Sequence, residues 1–317
     1  MNSVFEAVAG GTALLLASVA AGTAADMQTQ TFPVKAAAVV QSGAANPILY
    51  VNNQISLDAI AQHIDYLATG RYAPQSPIGP TNSERGWQPG LQLTGSAMFD
   101  LGPLSNVYIM GQFSWAKGNS AYSGALIPTL ANVAKGKIPA YGSLVRTSEA
   151  ETKDFDFRLG KGFEVSQDWM LTPFVGFGYH VWDRGTNPFR EYENGYAGGG
   201  MMIQWAPTRQ WVISANGLVG STLGPRVSTP DNPEYSPTTL NLGSKLMWKA
   251  GLSADYALTQ QWHANAGLDY TRIDYGASSE ARSKAGYEPV PDRDSRSDIW
   301  AVKAGVGYSF YQPNARY

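Results

Sequence analysis

The segment 298–310 alternates without interruption. Trp300, Val302, Ala304, Val306, Tyr308 and Phe310 fall on one side, and Ala301, Lys303, Gly305, Gly307 and Ser309 on the other. A period of two is the mark of a β-strand. One side is wholly apolar and ends in two aromatics; the other is small or charged. The pattern returns along the chain in segments of about ten residues, the length a tilted strand needs to cross a bilayer. Such a sheet turns its oily side to lipid, so the expected fold is all-β: a transmembrane, antiparallel, up-and-down β-barrel of about ten strands.

Composition agrees with that expectation. Of 317 residues only 15% are charged and the net charge is −2, which offers nothing to nucleic acid or to a polybasic membrane anchor. Tryptophan, tyrosine and glycine are abundant, yet mean hydropathy is slightly negative. A helical membrane protein would carry apolar runs of about 20 residues. In a barrel, alternate residues face a polar lumen and dilute the average. Cysteine is absent, which excludes disulfides, thiolate nucleophiles and cysteine metal sites. Gly118-Asn119-Ser120 and Gly160-Lys161-Gly162 lack phosphate-loop spacing, so no cofactor and no metal is expected.

Residues 1–25 read as a signal peptide: Val8 to Ala24 is apolar and small, and Thr23-Ala24-Ala25 before Asp26 suits cleavage, although Glu6 stands where a cation is usual. Residues 26–49 read as an irregular periplasmic leader, 50–310 as the barrel and 311–317 as a C-terminal tail. Strands are expected at 53–67, 88–99, 107–116, 153–165, 169–182, 192–205, 211–222, 243–258, 262–275 and 298–310. The intervening segments alternate between short turns (100–106, 166–168, 206–210, 259–261) and long loops (68–87, 117–152, 183–191, 223–242, 276–297), the periplasmic and extracellular asymmetry of bacterial barrels.

Three hairpins can be paired by counting outward from their turns. Around Gln167, Phe157 meets Phe177, Phe155 meets Tyr179 and Asp154 meets His180. Around Thr208, Trp205 meets Trp211; around Gln260, Trp262 meets Leu258 and Ala266 meets Ala254. On 243–258, Leu246, Trp248, Ala250, Leu252, Ala254, Tyr256 and Leu258 face out, and a one-residue slip would push Lys245, Lys249 and Asp255 into hydrocarbon. On 53–67, Ile55, Leu57, Ala59 and Ala61 share a face but Ile64 and Tyr66 take the other, so a bulge is expected. Trp169, Trp205, Trp211 and Trp262 all flank short turns and read as a periplasmic aromatic girdle.

Val306-Gly307-Tyr308-Ser309-Phe310 resembles the C-terminal signal read by the barrel-assembly machinery, with Tyr308 and Phe310 as its alternating aromatics. Pro33-Val34-Lys35-Ala36 resembles the mature N-termini of exported outer-membrane barrels. Asn52-Asn53-Gln54-Ile55-Ser56-Leu57-Asp58, with His63 and Tyr66 after it, resembles the first strand of a family of small, mostly uncharacterised Gram-negative outer-membrane barrels. The resemblance spans most of 50–310 and implies residence in the cell outer membrane, with lipid, lipopolysaccharide and the assembly machinery as partners. It carries no catalytic residues. Ten strands also invite comparison with the omptin proteases, whose Asp-x-His element is absent: His63, His180 and His263 follow Ala61, Gly178 and Gln261 by two positions.

The polar lumen network is expected to hold Asp154, Asp156, Arg158, His180, Lys245, Lys249, Asp255, Asp269 and Lys303, with His263 and Asn265 beside them. Asp154 should meet His180; Asp156 and Arg158 face Gly178 and Gly176, which leave room for the arginine head. Asp255 is expected to pair with Asn265, and Lys249 to lie diagonal to Asp269. An Asp–His contact can poise a general base, but lumen charges need partners in any case, and no nucleophile lies beside this one. Loop 223–242 is stiffened by Pro225, Pro230, Pro233 and Pro237; loop 276–297 mixes Glu280, Arg282, Lys284, Glu288, Asp292, Arg293, Asp294 and Arg296. The expected role is non-enzymatic, in the envelope. A narrow porin-like conduit is the alternative, and an omptin-like surface hydrolase comes third. The sequence leaves oligomeric state open.

Overall fold

A computed structural model describes residues 46–71, 78–126, 129–137, 140–185, 190–233, 235–279, 284, 286 and 292–311. The chain divides into two units, Met1–Ala44 and Ala45–Tyr317. The first lies outside the described residues, as do the signal peptide, Pro33–Ala36, Glu280, Arg282, Glu288 and residues 312–317.

The second unit is one closed antiparallel sheet. Its strands are β1 (Gln54–Gly70), β2 (Gly79–Leu101), β3 (Leu104–Gly124), β4 (Leu144–Lys161), β5 (Phe163–Ser166), β6 (Trp169–Asp183), β7 (Glu191–Trp205), β8 (Trp211–Thr229), β9 (Thr238–Asn241), β10 (Leu246–Ala257), β11 (Trp262–Tyr275) and β12 (Asp294–Ser309). Sequential neighbours pair throughout, β5 continues β4 against β6, and β9 is a short addition to the outer end of β8. β12 closes on β1 from Gln54↔Ser309 to Thr69↔Asp294. The wall is therefore a ten-stranded up-and-down barrel with even strand parity. Closure leaves the oily stripes no partner but hydrocarbon.

Those stripes face outward as the alternation requires. Ile55, Leu57, Leu91, Leu93, Phe113, Phe155, Phe177, Val219, Leu252, Leu268, Val302 and Val306 are all exposed. At the short-turn end Trp169 stacks on Trp205 with centroids 5.6 Å apart, Trp211 packs on Tyr256 at 4.8 Å and Trp262 on Tyr308 at 5.2 Å. At the other border Trp248, Tyr270 and Trp300 form a cross-strand row at 4.7 and 4.3 Å. From Trp262 to Tyr270 the strand climbs about 27 Å, or about 20 Å along the axis at the usual tilt. Two aromatic rows bracketing an apolar band of that height match a bilayer-facing belt.

Four expectations are corrected. First, residues 68–70, 79–87, 117–124, 144–152, 223–229, 238–241 and 294–297 are strand, not loop. Above the girdle the outward side chains are Arg85, Lys117, Glu149 and Glu151, paired as Arg85–Asp65 and Lys117–Glu149, so the oily-outside code ends although the sheet continues. Second, Trp205 lies opposite Ile213 rather than Trp211. The 206–210 turn is wider than counted because the Ala206 amide donates to the Asp168 carbonyl. Third, β1 has no bulge near Ile64; its pairing is continuous to Ala68, where a shift against β2 occurs. Fourth, the leader is not irregular up to residue 49, because helix α1 (Pro47–Val51) forms beneath the barrel, capped by the Asn46 side chain.

Candidate functional site

The lumen is filled in three layers. At the short-turn end Ile48 of α1 is fully buried among Met98, Tyr108, Met110, Met170, Phe174, Met202, Ala206, Val212 and Leu218. Asn52 follows the helix and exchanges two amide hydrogen bonds with Gln204, at 2.8 and 2.9 Å. The Ser309 hydroxyl donates to the Tyr50 carbonyl, which ties the helix to the last strand. Four thioethers suit such a layer, since methionine adapts to irregular gaps.

The middle layer is charged and self-paired. Asp156 is its hub: Arg158 Nε lies 3.2 Å away, Lys249 Nζ 3.0 Å, and the Tyr196 hydroxyl donates to it at 2.9 Å. Lys249 is diagonal to Asp269 in register, since it lies opposite Thr271, but its head crosses the lumen to Asp156, and Asp269 is held by Lys303 at 2.6 Å. The Arg158 head does not fill space above the two glycines. A Cβ on Gly176 would meet Leu218 at 2.5 Å and one on Gly178 the Tyr196 hydroxyl at 2.4 Å, while Arg158 lies over the Phe174 ring and donates to Asn216. Asp154 lies beside His180, with Oδ1 2.8 Å from Nδ1. A second such contact was not foreseen: Asp255 is opposite Asn265 in register but its carboxylate meets His263 Nδ1 at 2.5 Å. Both imidazoles have an Nε2 without a partner among the described residues. Gln62, Gln88 and Thr152 form a neutral triangle above. Lys245 does not belong to the network; it is exposed at the outer rim, in a shallow cavity of about 330 Å³ with Leu67, Asp274, Asp294 and Arg296.

The layer at the long-loop end is apolar and aromatic. Ile64, Tyr66, Trp182, Tyr192, Val227, Tyr235, Leu240, Met247, Ile273, Tyr275 and Ile299 are buried together. Ile64 and Tyr66 are thus the wrong-faced residues of β1, turned inward to build this plug. At its centre Arg184, only 1% exposed, pairs with buried Glu84 at 2.8 Å. Its guanidinium lies 4.6 Å from the Tyr66 ring centre, 5.0 Å from Trp182 and 5.4 Å from Tyr192. Burial alone works against that charge, but Glu84 with Tyr192 and Tyr66 outweighs it and holds the Arg184 pKa above its ordinary value. Ser120 donates to the same carboxylate. Asp292, from the segment before β12, is also sunk here and accepts from the Tyr192 hydroxyl at 2.9 Å. Sequence reasoning assigned none of Glu84, Arg184, Tyr192 or Asn52 to a network. The misplaced Ile64 and Tyr66 were the available signal for the plug.

Chemically, the middle layer holds its charges by mutual pairing around Asp156. The Asp154–His180 contact lies below the aromatic cluster, whereas Asp255–His263 sits at the short-turn end, with Asp255 opposite Val212 and His263 next to Trp262.

The sequence matches no protein-family model and no curated relative. Among solved structures it is similar to the outer membrane protease OmpT from Escherichia coli, with 9% identity, 81% of this chain and 95% of that chain covered, and a TM-score of 0.49. It is also similar to the outer membrane protein OprG from Pseudomonas aeruginosa, at 11% identity over 82% and 97% of the two chains, with a TM-score of 0.40. Outer membrane protein AlkL gives 11% identity over 91% and 99%, with a TM-score of 0.35. The architecture itself, a closed ten-stranded antiparallel barrel with an oily belt between two aromatic rows, rests on this chain's own pairing and exposure.

Proposed function

We propose that this chain is an integral outer-membrane barrel that serves the envelope as a sealed, non-catalytic protein, acting through the strand extensions and loops above its outer girdle. The observation that carries this reading is the pair of apolar plugs, one around Ile48 and one around Tyr66 and Tyr192, that cap the charged middle layer. A conduit needs a continuous aqueous path, and ten strands enclose little more than their own side chains. A hydrolase needs a nucleophile or activated water that substrate can reach; the Asp154–His180 contact lies beneath the outer cluster, and Asp255–His263 lies at the short-turn end, level with the inner one.

The outward belt supports residence in lipid, and the ion pairs above it suit the headgroup and lipopolysaccharide zone of an outer leaflet. Tyr308 near the end of the closing strand and Phe310 just past it, both exposed, are suited to recognition by the assembly machinery. The test is planar-bilayer conductance of the purified, folded protein. No sustained current is expected, and steady single-channel steps would overturn the sealed-barrel reading.

A further inference from the structure

Among the described residues, the outer plug holds an acid, Asp292, with no cation in an ion pair with its carboxylate. Asp292 is 3% exposed and is bound through its Oδ2 by the Tyr192 hydroxyl, which also lies 3.0 Å from the Tyr66 hydroxyl and 3.4 Å from Arg184 Nη1. Its backbone is tied down as well. The Asp292 amide donates to Ser278 Oγ at 2.8 Å, and the Ser278 amide returns a bond to the Asp292 carbonyl at 3.0 Å. The ionisable groups around it are Tyr192 on β7, Tyr66 on β1, Tyr275 on β11, Arg184 beyond β6 with Glu84 of β2 against it, and the adjacent Arg293. Arg184 is the one buried cation among them, and Glu84 already claims it at 2.8 Å. A carboxylate in this position is desolvated and only partly compensated, whereas the neutral acid fits at little cost.

We infer that Asp292 makes the extracellular plug a proton-responsive seal, tighter when Asp292 is protonated and looser when it is ionised. This rests on the sealed-barrel reading and adds a regulator to it. Burial moves the Asp292 pKa from its ordinary 3.8 up to about 6, against the opposing pull of Tyr192 and Arg184. The sign follows from linkage. A group whose pKa is raised in the docked state stabilises that state fully below its free pKa, and the stabilisation is lost as pH rises through the docked value. The difference corresponds to about a 100-fold change in the opening equilibrium across the interval.

The experiment is amide hydrogen exchange of the whole chain in lipid nanodiscs from pH 4 to pH 8, corrected for intrinsic rates and read at the Ser278 and Asp292 amides. Protection is expected to fall by about 30- to 100-fold with a midpoint near pH 6. Asp292→Asn should make the profile flat at the high-protection level. Tyr192→Phe, which removes a donor to the carboxylate, should move the midpoint upward. A flat wild-type profile, or an unchanged midpoint in Asp292→Asn, overturns the proposal. Conductance recorded over the same pH range separates the two readings. Current at every pH would sink the sealed barrel itself, whereas a silent barrel with a flat exchange profile would sink only the proton response.

Discussion

At the scale of single residues, the buried charges divide by what compensates them. Asp156 has two cations and a hydroxyl within hydrogen-bond reach, and Arg184 has Glu84 and four ring faces. Removing one member of such a pair strands the other in a low dielectric. Glu84→Ala is therefore expected to destabilise the barrel by roughly 3–5 kcal/mol, measured as a shift in the urea unfolding midpoint in lipid. By contrast Lys245→Ala, at the exposed rim, should change stability by less than about 0.5 kcal/mol; a large loss there would return Lys245 to the lumen. The Asp154–His180 register was legible in advance because a strand fixes its cross-strand neighbour by counting from the turn. The Arg184 cage was not, because Arg184 lies just beyond β6 and takes its partners from β1, β2 and β7.

At the scale of elements, the outward face of each strand is fixed by hydrocarbon and the inward face by packing. Leu252 on β10 lies opposite Leu268 and Ala215 in the middle of the belt. Leu252→Arg should cost about 2–4 kcal/mol for a midplane cation, read from folding equilibria into liposomes; no penalty would mean that this face does not contact lipid. Helix α1 shows the limit of period counting. A five-residue helix has no amphipathic repeat to detect, and it is held by Ile48 and the Asn52–Gln204 exchange rather than by propensity. Asn52→Ala leaves the Gln204 amide short of a partner and should cost about 1–3 kcal/mol. The outer ends of β2, β3 and β4 escaped the same counting because their outward residues meet water, where charge and apolarity no longer separate the faces.

At the scale of the whole molecule, two apolar clusters fill the lumen toward its two ends, and on the sealed-barrel proposal they act in series. Disrupting α1 alone with Ile48→Asp should leave bilayers silent, because the outer cluster still closes the lumen; combining it with Tyr66→Ala and Tyr235→Ala should produce current. Conductance from the single variant would show that the outer plug does not seal. Strand number, the lipid-facing side chains and the register of the 153–182 and 243–275 hairpins were determined by the sequence alone, because each follows from local alternation against a uniform solvent. What fills the lumen was decided only by the tertiary structure. Closing the sheet brings Asn52 to Gln204, Lys249 to Asp156 and Arg184 to Glu84 across separations that no periodicity encodes. Inside a narrow barrel, polar and apolar residues are sorted by which distant strand they meet, not by the medium they face.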